Sequence, residues 1–239
     1  SSVWGQIDGI GQFLILLFFV LMIWFNSMPR TNTAYYFFLA TAGTLLSLML
    51  LTKQLIYFSM GALGLVLLVI IFWRSQKPLH VILSILTVSA AFIFPVILVD
   101  ANLKLDASYF SHLHFLISAR SQQWDIISSL GFNIWVFFFK DLLGSARTPL
   151  FFGALSPNLL GIILFLALNI ILFLIFIHDI HRQTQAGQNG FERGQIISCL
   201  FYFSLVNLTF NLTLTGTHER YLYHFYPFVL MACLGLFHH

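Results

Sequence analysis

Long apolar runs constrain this chain more than any other feature of its sequence. A helix that crosses a bilayer needs about 20 mostly apolar residues, because the hydrocarbon core is about 30 Å thick. Seven segments meet or approach that length: Ile10–Phe25, Ala34–Leu51, Leu55–Trp73, Val81–Val99, Leu159–His178, Gln195–Leu212 and Tyr223–Phe237. They are apolar all round, which suits lipid or the interior of a bundle. The sequence therefore predicts an all-α, polytopic transmembrane helix bundle.

The composition argues against a water-soluble domain. Only 8% of the 239 residues are charged, whereas soluble domains carry about 25%. The 11 Lys and Arg and the 8 Asp and Glu are dispersed singly, so there is no basic patch of the kind that binds nucleic acid. We therefore predict an integral membrane protein that contacts membrane lipids and has no nucleic-acid partner.

One connection between the spans differs from the others. Three connections are short and polar: Asn26–Thr33, Arg74–His80 and Asp179–Arg193. Residues 100–158 instead form a long stretch of mixed polarity that is rich in aromatic residues. Within it, Tyr109–Ser121 is predicted to form an interfacial amphipathic helix, and Ile134–Phe139 a partial or re-entrant segment. Residues 1–239 are thus predicted to form one transmembrane domain with a long outer loop.

The charges of the short connections predict the orientation of the chain, because cytoplasmic loops carry an excess of Lys and Arg. If Trp4–Asp8 lies outside, the inner connections hold five cations: Arg30, Arg74, Lys77, Arg182 and Arg193. The short outer connections hold only two, Lys53 and Arg220. In this orientation the outer face gathers Trp4–Asp8, the Lys53–Gln54 turn, the long outer loop and the segment His218–Tyr221.

Two of the polar groups at the outer ends of the spans have both a structural and a functional interpretation. Asp8, in Trp4-Gly5-Gln6-Ile7-Asp8, is either a helix cap beside an interfacial tryptophan or a carboxylate that acts on an acceptor hydroxyl or orients a sugar. Lys53, in Thr52-Lys53-Gln54, is either a snorkelling lysine in a tight turn or a cation that meets a lipid phosphate.

A third group lies at the mouth of the last span, where four polar or ionisable residues follow one another as His218-Glu219-Arg220-Tyr221. Arg220 offers a planar fork for phosphate, His218 can donate or shuttle a proton, and Glu219 can hold either of them in place. The alternative is a solvated interfacial segment in which Glu219 balances Arg220.

A fourth group lies in the long outer loop, as Ser121–Trp124 followed by Leu130–Trp135. Its aromatic and amide side chains are typical of carbohydrate-contacting loops, and equally of a loop that lies on lipid. The sequence contains no zinc pattern, P-loop, dinucleotide fingerprint or nucleophile elbow. His112-Leu113-His114 is only a weak metal pattern. We therefore predict no cofactor, and a divalent metal is left open but is not indicated by the sequence.

The order of these groups resembles that in a known family. A Trp-Gly-Gln-x-Asp group, a Lys-Gln turn, Phe-Asn-x-Trp, and His-Glu-Arg-Tyr-Leu-Tyr before a final helix are similar to motifs of the GT-C glycosyltransferases. The similarity is greatest to bacterial membrane proteins that resemble GPI mannosyltransferases. It extends from Trp4 to Pro227, and His218–Tyr221 is its most specific part. Such enzymes begin with additional helices and an outer loop that bears a catalytic Asp, so the resemblance implies an incomplete or N-terminally shortened member.

Two positions depart from the family pattern. The family's turn usually reads Lys-Pro-Gln, and no Pro stands between Lys53 and Gln54. A Pro usually follows Arg-Tyr-Leu-Tyr, and here that position is His224.

The resemblance implies an inverting enzyme that moves a mannose-like hexose from a polyprenyl-phosphate donor to an acceptor at the outer face of a bacterial plasma membrane. We predict that Asp8 and Glu219 are the catalytic residues. The residues that the resemblance implies bind the donor phosphate or the substrate are Gln6, Lys53, Gln54, Asn133, Trp135, His218, Arg220 and Tyr221. Two other classes stay open: a non-catalytic scaffold that binds other membrane proteins, and a transporter, although the paired broken helices typical of transporters are not seen in the sequence.

Overall fold

The chain is described by a computed structural model that covers residues 2–27, 31–52, 57–74, 77–102, 126–128, 133–151, 154–185, 193–217, 222 and 225–237. Within these residues it forms seven α-helices: α1 Ser2–Asn26, α2 Asn32–Thr52, α3 Tyr57–Arg74, α4 Pro78–Asn102, α5 Pro157–Gln185, α6 Arg193–Thr213 and α7 Tyr226–Phe237. A short 3-10 helix covers Ile134–Phe137. No β-strand occurs in the described ranges, so the predicted all-α fold is confirmed.

The helix lengths confirm an integral membrane protein. Six helices, α1 to α6, are long and apolar enough to cross a bilayer. The seventh predicted span corresponds to α7, which has 12 residues. At about 1.5 Å per residue, α7 rises about 18 Å, which is less than the roughly 30 Å of the hydrocarbon core.

The first polar group lies inside α1 and not before it. The apolar run predicts a helix start near Ile10, but α1 begins at Ser2. Asp8 therefore lies in the second helical turn. Since an N-cap residue must directly precede the first helical residue, the interpretation of Asp8 as a cap is wrong. An apolar run predicts the residue at which a helix enters lipid. The first residue with helical backbone hydrogen bonds can lie before that point, as it does in α1.

The described chain divides into two compact units, one with residues 1–121 and 184–196 and the other with residues 122–183 and 197–239. In unit 1, α2 contacts α1, α3 and α4. Gly43 of α2 allows close approach, because a Cβ there would lie 2.7 Å from Val88 O and 3.1 Å from Ala91 Cβ of α4. Tyr35 and Ser84, earlier in the same two helices, share a hydrogen bond of 3.1 Å. These two contacts show that α2 and α4 run parallel.

One end of unit 1 is organised around Arg74, the last residue of α3. The Arg74 guanidinium lies 4.6 Å from the ring centroid of Phe25 and 5.0 Å from that of Tyr35. Trp73 Nε1 donates to Thr184 Oγ1 at 2.9 Å. The ends of α1 and α3 and the start of α2 therefore lie together, as alternating crossings require, and Arg74 stabilises them through its contacts with two aromatic rings.

In unit 2, α5 and α6 form an antiparallel pair. Near the start of α6, Ser198 Oγ donates to Asp179 Oδ2 at 2.5 Å. At the other end of α6, Thr213 faces Gly161 in α5. The end of α6 and the start of α5 thus lie on the same side of unit 2, and the described part of the outer loop lies there too.

Candidate functional site

The described part of the outer loop is closed by its own backbone hydrogen bonds. Two of these bonds join distant parts of the loop: Ile127 N to Gly144 O at 3.1 Å and Ser128 N to Leu142 O at 2.9 Å. A third, from Asn158 N to Ala146 O at 2.9 Å, ties the loop to the first turn of α5. The described part of the loop is therefore held together by backbone contacts next to the first turn of α5, where it can place side chains at the adjacent helix ends.

Trp135 binds the end of α6. Its side chain is 1% exposed, and its Nε1 donates to Thr213 O at 2.7 Å. The rings of Phe139 and Phe151 each lie 6.3 Å from the Trp135 ring. A helix leaves its last carbonyl groups without partners inside the helix, and Trp135 supplies one of the missing donors from a different part of the chain.

Asn133 binds the residues that follow α6. It is 2% exposed, and its Nδ2 faces three acceptors: Thr217 Oγ1 at 3.0 Å, Leu214 O at 3.3 Å and Ile127 O at 3.4 Å. Gly216 N donates to Ile127 O at 3.1 Å. Gly216 has φ of 69°, the left-handed conformation that glycine provides where helices end. Asn133 and Trp135, with the residues 213–217 that they hold, are called the α6 cap below.

The α6 cap links the aromatic loop to the residue that precedes the His218–Tyr221 group. Asn133 and Trp135 belong to the aromatic outer loop, and Thr217 directly precedes His218-Glu219-Arg220-Tyr221. The Asn133–Thr217 hydrogen bond spans 84 positions of sequence. A side-chain contact therefore fixes Thr217, the residue before the most specific motif, to the described part of the loop.

The same geometry gives Asn133 and Trp135 a structural task. Their N–H groups donate to protein acceptors, and both side chains are buried. Asn133 Oδ1 is buried and has no hydrogen-bond partner among the described residues, an arrangement that costs about 1–3 kcal/mol. Contact of either residue with a substrate stays a prediction from the resemblance.

The remaining predicted site residues are not described. Those that lie outside the described ranges are Lys53, Gln54, His218, Glu219, Arg220 and Tyr221. The backbones of Gln6 and Asp8 belong to α1, but their side chains lie outside the described part. The predicted helix Tyr109–Ser121, the His112–His114 pattern and Ser121–Trp124 also fall outside it.

Another part of the outer loop presents apolar side chains to its surroundings. Phe137 is 85% exposed, Leu143 is 74% exposed and Phe138 is 67% exposed. Exposed aromatic side chains at the end of a spanning helix suit the bilayer interface. The loop thus combines an inward aromatic, Trp135, with an outward apolar surface that favours contact with lipid.

Asp100 is a buried carboxylate that the sequence reasoning missed. It lies in α4, two residues before Asn102, and is 6% exposed. Because α2 and α4 run parallel, Asp100 lies toward the same end of unit 1 as Thr52, the last residue of α2. Ionisable residues at membrane depth are costly and usually functional. The sequence did contain a signal for Asp100, because this carboxylate directly follows the predicted span that ends at Val99.

Unit 1 also contains an apolar groove. It has a volume of about 350 Å³ and is bounded by side chains of α2, α3 and α4, among them Leu46, Leu68 and Ile85. Gly61 and Gly64 help to form it, since a Cβ at either position would meet no atom within 4 Å. Among the described residues, no group of three His, Cys, Asp or Glu side chains could hold a metal ion.

Comparison of the chain with protein-family models, with curated proteins and with solved structures gives no match. The family resemblance therefore depends on the order of the sequence motifs alone.

Proposed function

We propose that the chain acts as an inverting, GT-C-like glycosyltransferase, which moves a mannose-like hexose from a polyprenyl-phosphate donor to an acceptor hydroxyl at the outer face of the membrane. The observation that carries this proposal is the α6 cap. Trp135 donates to Thr213 O at 2.7 Å, and Asn133 donates to Thr217 Oγ1 at 3.0 Å. The aromatic loop thereby contacts the end of α6 and the threonine that directly precedes the His218–Tyr221 motif in the sequence.

The proposed reaction is a direct displacement at the anomeric carbon of the sugar. The acceptor oxygen forms the new bond to that carbon while the bond to the phosphate oxygen breaks, and the electron pair leaves with the phosphate. Arg220 and Lys53 neutralise the charge that develops on the phosphate, which is usually the largest catalytic contribution. Asp8 accepts the acceptor's proton, and Glu219 orients His218 for a hydrogen bond to the phosphate.

The membrane setting supports a lipid-linked donor. Six helices have the length and composition of spans, so a polyprenyl tail can stay in hydrocarbon while its phosphate reaches the interface. The apolar groove lined by Gly61 and Gly64 is large enough for part of such a tail, because ligand pockets start at about 300 Å³.

Arg220→Ala tests the proposal. We expect purified wild-type protein in lipid nanodiscs to transfer radiolabelled mannose from polyprenyl-phosphate mannose to lipid or glycan acceptors. Transfer should fall about 100-fold or more in Arg220→Ala, with an unchanged melting temperature. Arg182→Ala is the control, because Arg182 lies in the last turn of α5, at the end remote from the α6 cap. Wild-type activity of Arg220→Ala would exclude the role of Arg220.

A second function, that of a non-catalytic membrane scaffold, is favoured by one observation. Asn133 and Trp135 direct their donors to the protein's own carbonyl and hydroxyl groups and are nearly inaccessible. That arrangement suits a protein whose motifs keep the fold together while other membrane proteins pack against it. Absence of transfer from several polyprenyl-phosphate sugars, together with a stable complex purified from native membranes, would support the scaffold over the enzyme.

A further inference from the structure

We propose that Asn133 is a positioning residue for the segment His218–Tyr221. Its carboxamide donates to Thr217, the residue that directly precedes this segment in the sequence. The role of the segment in sugar transfer rests on the proposed function, whereas the contact between Asn133 and Thr217 does not.

The hydrogen bonds of the α6 cap converge on the residues that link α6 to His218. Trp135 donates to Thr213 O, and Asn133 donates to Leu214 O and to Thr217 Oγ1. In apolar surroundings, unpaired backbone groups cost several kcal/mol each. Donors from the loop therefore determine where these five residues lie.

Asn133 differs from Trp135 in which residue it reaches. Trp135 contacts Thr213, which is the last residue of the helix itself. Among the described residues, the hydroxyl of Thr217 bonds with Asn133, Asn211 and Leu214, and Asn133 alone comes from another part of the chain. Loss of Trp135 should loosen the helix end, whereas loss of Asn133 should release the residue next to His218.

The chain offers a matched control for this contact. Asn169 Nδ2 donates to Thr209 Oγ1 at 3.2 Å and to Phe165 O at 2.7 Å. It makes the same carboxamide-to-threonine bond between α5 and α6, but in the middle of the helices. Asn169→Ala should therefore lower stability about as much as Asn133→Ala without affecting the residues after α6.

Hydrogen–deuterium exchange in nanodiscs, read by mass spectrometry, tests the positioning role. Asn133→Ala and Thr217→Val should each raise amide exchange in residues 217–223 about 2- to 10-fold, as expected for the loss of a hydrogen bond. Asn169→Ala should leave that peptide unchanged. Thr217→Ser, which keeps the hydroxyl, should restore wild-type exchange. Unchanged exchange in Asn133→Ala, or an equal rise in Asn169→Ala, would overturn the inference.

Transfer assays on the same variants separate this inference from the proposed function. The two variants Asn133→Ala and Asn169→Ala should lose a similar amount of melting temperature. Asn133→Ala should nevertheless lower kcat at least tenfold more than Asn169→Ala does. Wild-type kcat in Asn133→Ala would remove the positioning role while leaving the enzyme. No transfer by any protein, combined with the local rise in exchange, would remove the enzyme while supporting the positioning contact.

Discussion

Gly161→Ala provides a sharp test of how α5 and α6 meet. A Cβ at Gly161 would lie 2.5 Å from Thr213 O and 3.4 Å from Trp135 Cζ2, while ordinary contact starts at 3.4 Å. The Thr213 carbonyl and the α5 backbone at position 161 must therefore separate by about 0.9 Å, the difference between 3.4 and 2.5 Å. A shift of this size directed away from Trp135 would lengthen the 2.7 Å bond between Trp135 Nε1 and Thr213 O beyond hydrogen-bond distance.

The expected cost follows from three contributions. Overpacking costs about 1–3 kcal/mol, and the lost hydrogen bond adds about 0.5–1.5 kcal/mol. The higher helix propensity of alanine offsets about 1 kcal/mol. The net loss of stability is about 1–3 kcal/mol, and each kcal/mol should lower the melting temperature by about 2–4 °C.

Thermal unfolding in detergent, followed by tryptophan fluorescence, measures this effect. Gly64→Ala is the control, because Gly64 lies in spanning helix α3 and a Cβ there meets nothing within 4 Å. That substitution should leave stability unchanged or raise it by up to about 1 kcal/mol. If Gly161→Ala is as stable as the wild type, or if both variants lose stability equally, the close approach of α5 and α6 at Gly161 is refuted.

Two further predictions concern orientation and the Arg74 contacts. Lys140 and Lys77 are both exposed, and they lie in the predicted outer loop and in a predicted inner connection. In a background without native cysteines, Lys140→Cys should therefore react with a membrane-impermeant maleimide on intact cells, whereas Lys77→Cys should react only after permeabilisation. Labelling of both variants on intact cells would contradict the predicted orientation. Arg74→Leu should lower the free energy of unfolding by about 1–2 kcal/mol, because two cation–π contacts are lost. An unchanged melting temperature would show that these contacts do not stabilise the protein.

The spans could be predicted because their signal is local. Each apolar run is a direct consequence of the free energy of transfer into lipid, and α2, α3, α4 and α6 end within about three residues of the predicted bounds. The predicted connection Asp179–Arg193 is wrong in its first half, because α5 continues past His178 to Gln185. Helix starts were less certain, as α1 shows, because a helix continues beyond the lipid wherever its backbone bonds can form. Asp100 was missed for the same reason, since its predicted loop position is in fact the last turn of α4.

The sequence by itself determined that this chain is an all-α membrane protein. With 8% charged residues and long apolar runs, its surface is suited to lipid and not to water. The sequence also singled out the aromatic loop and the His218–Tyr221 motif as separate groups. Only the tertiary structure joined the loop to the threonine before that motif. The physical reason is that the orphan carbonyls and hydroxyl at the end of α6 need donors, and Asn133 and Trp135 reach them across 84 and 78 positions of sequence, a pairing that no local pattern encodes.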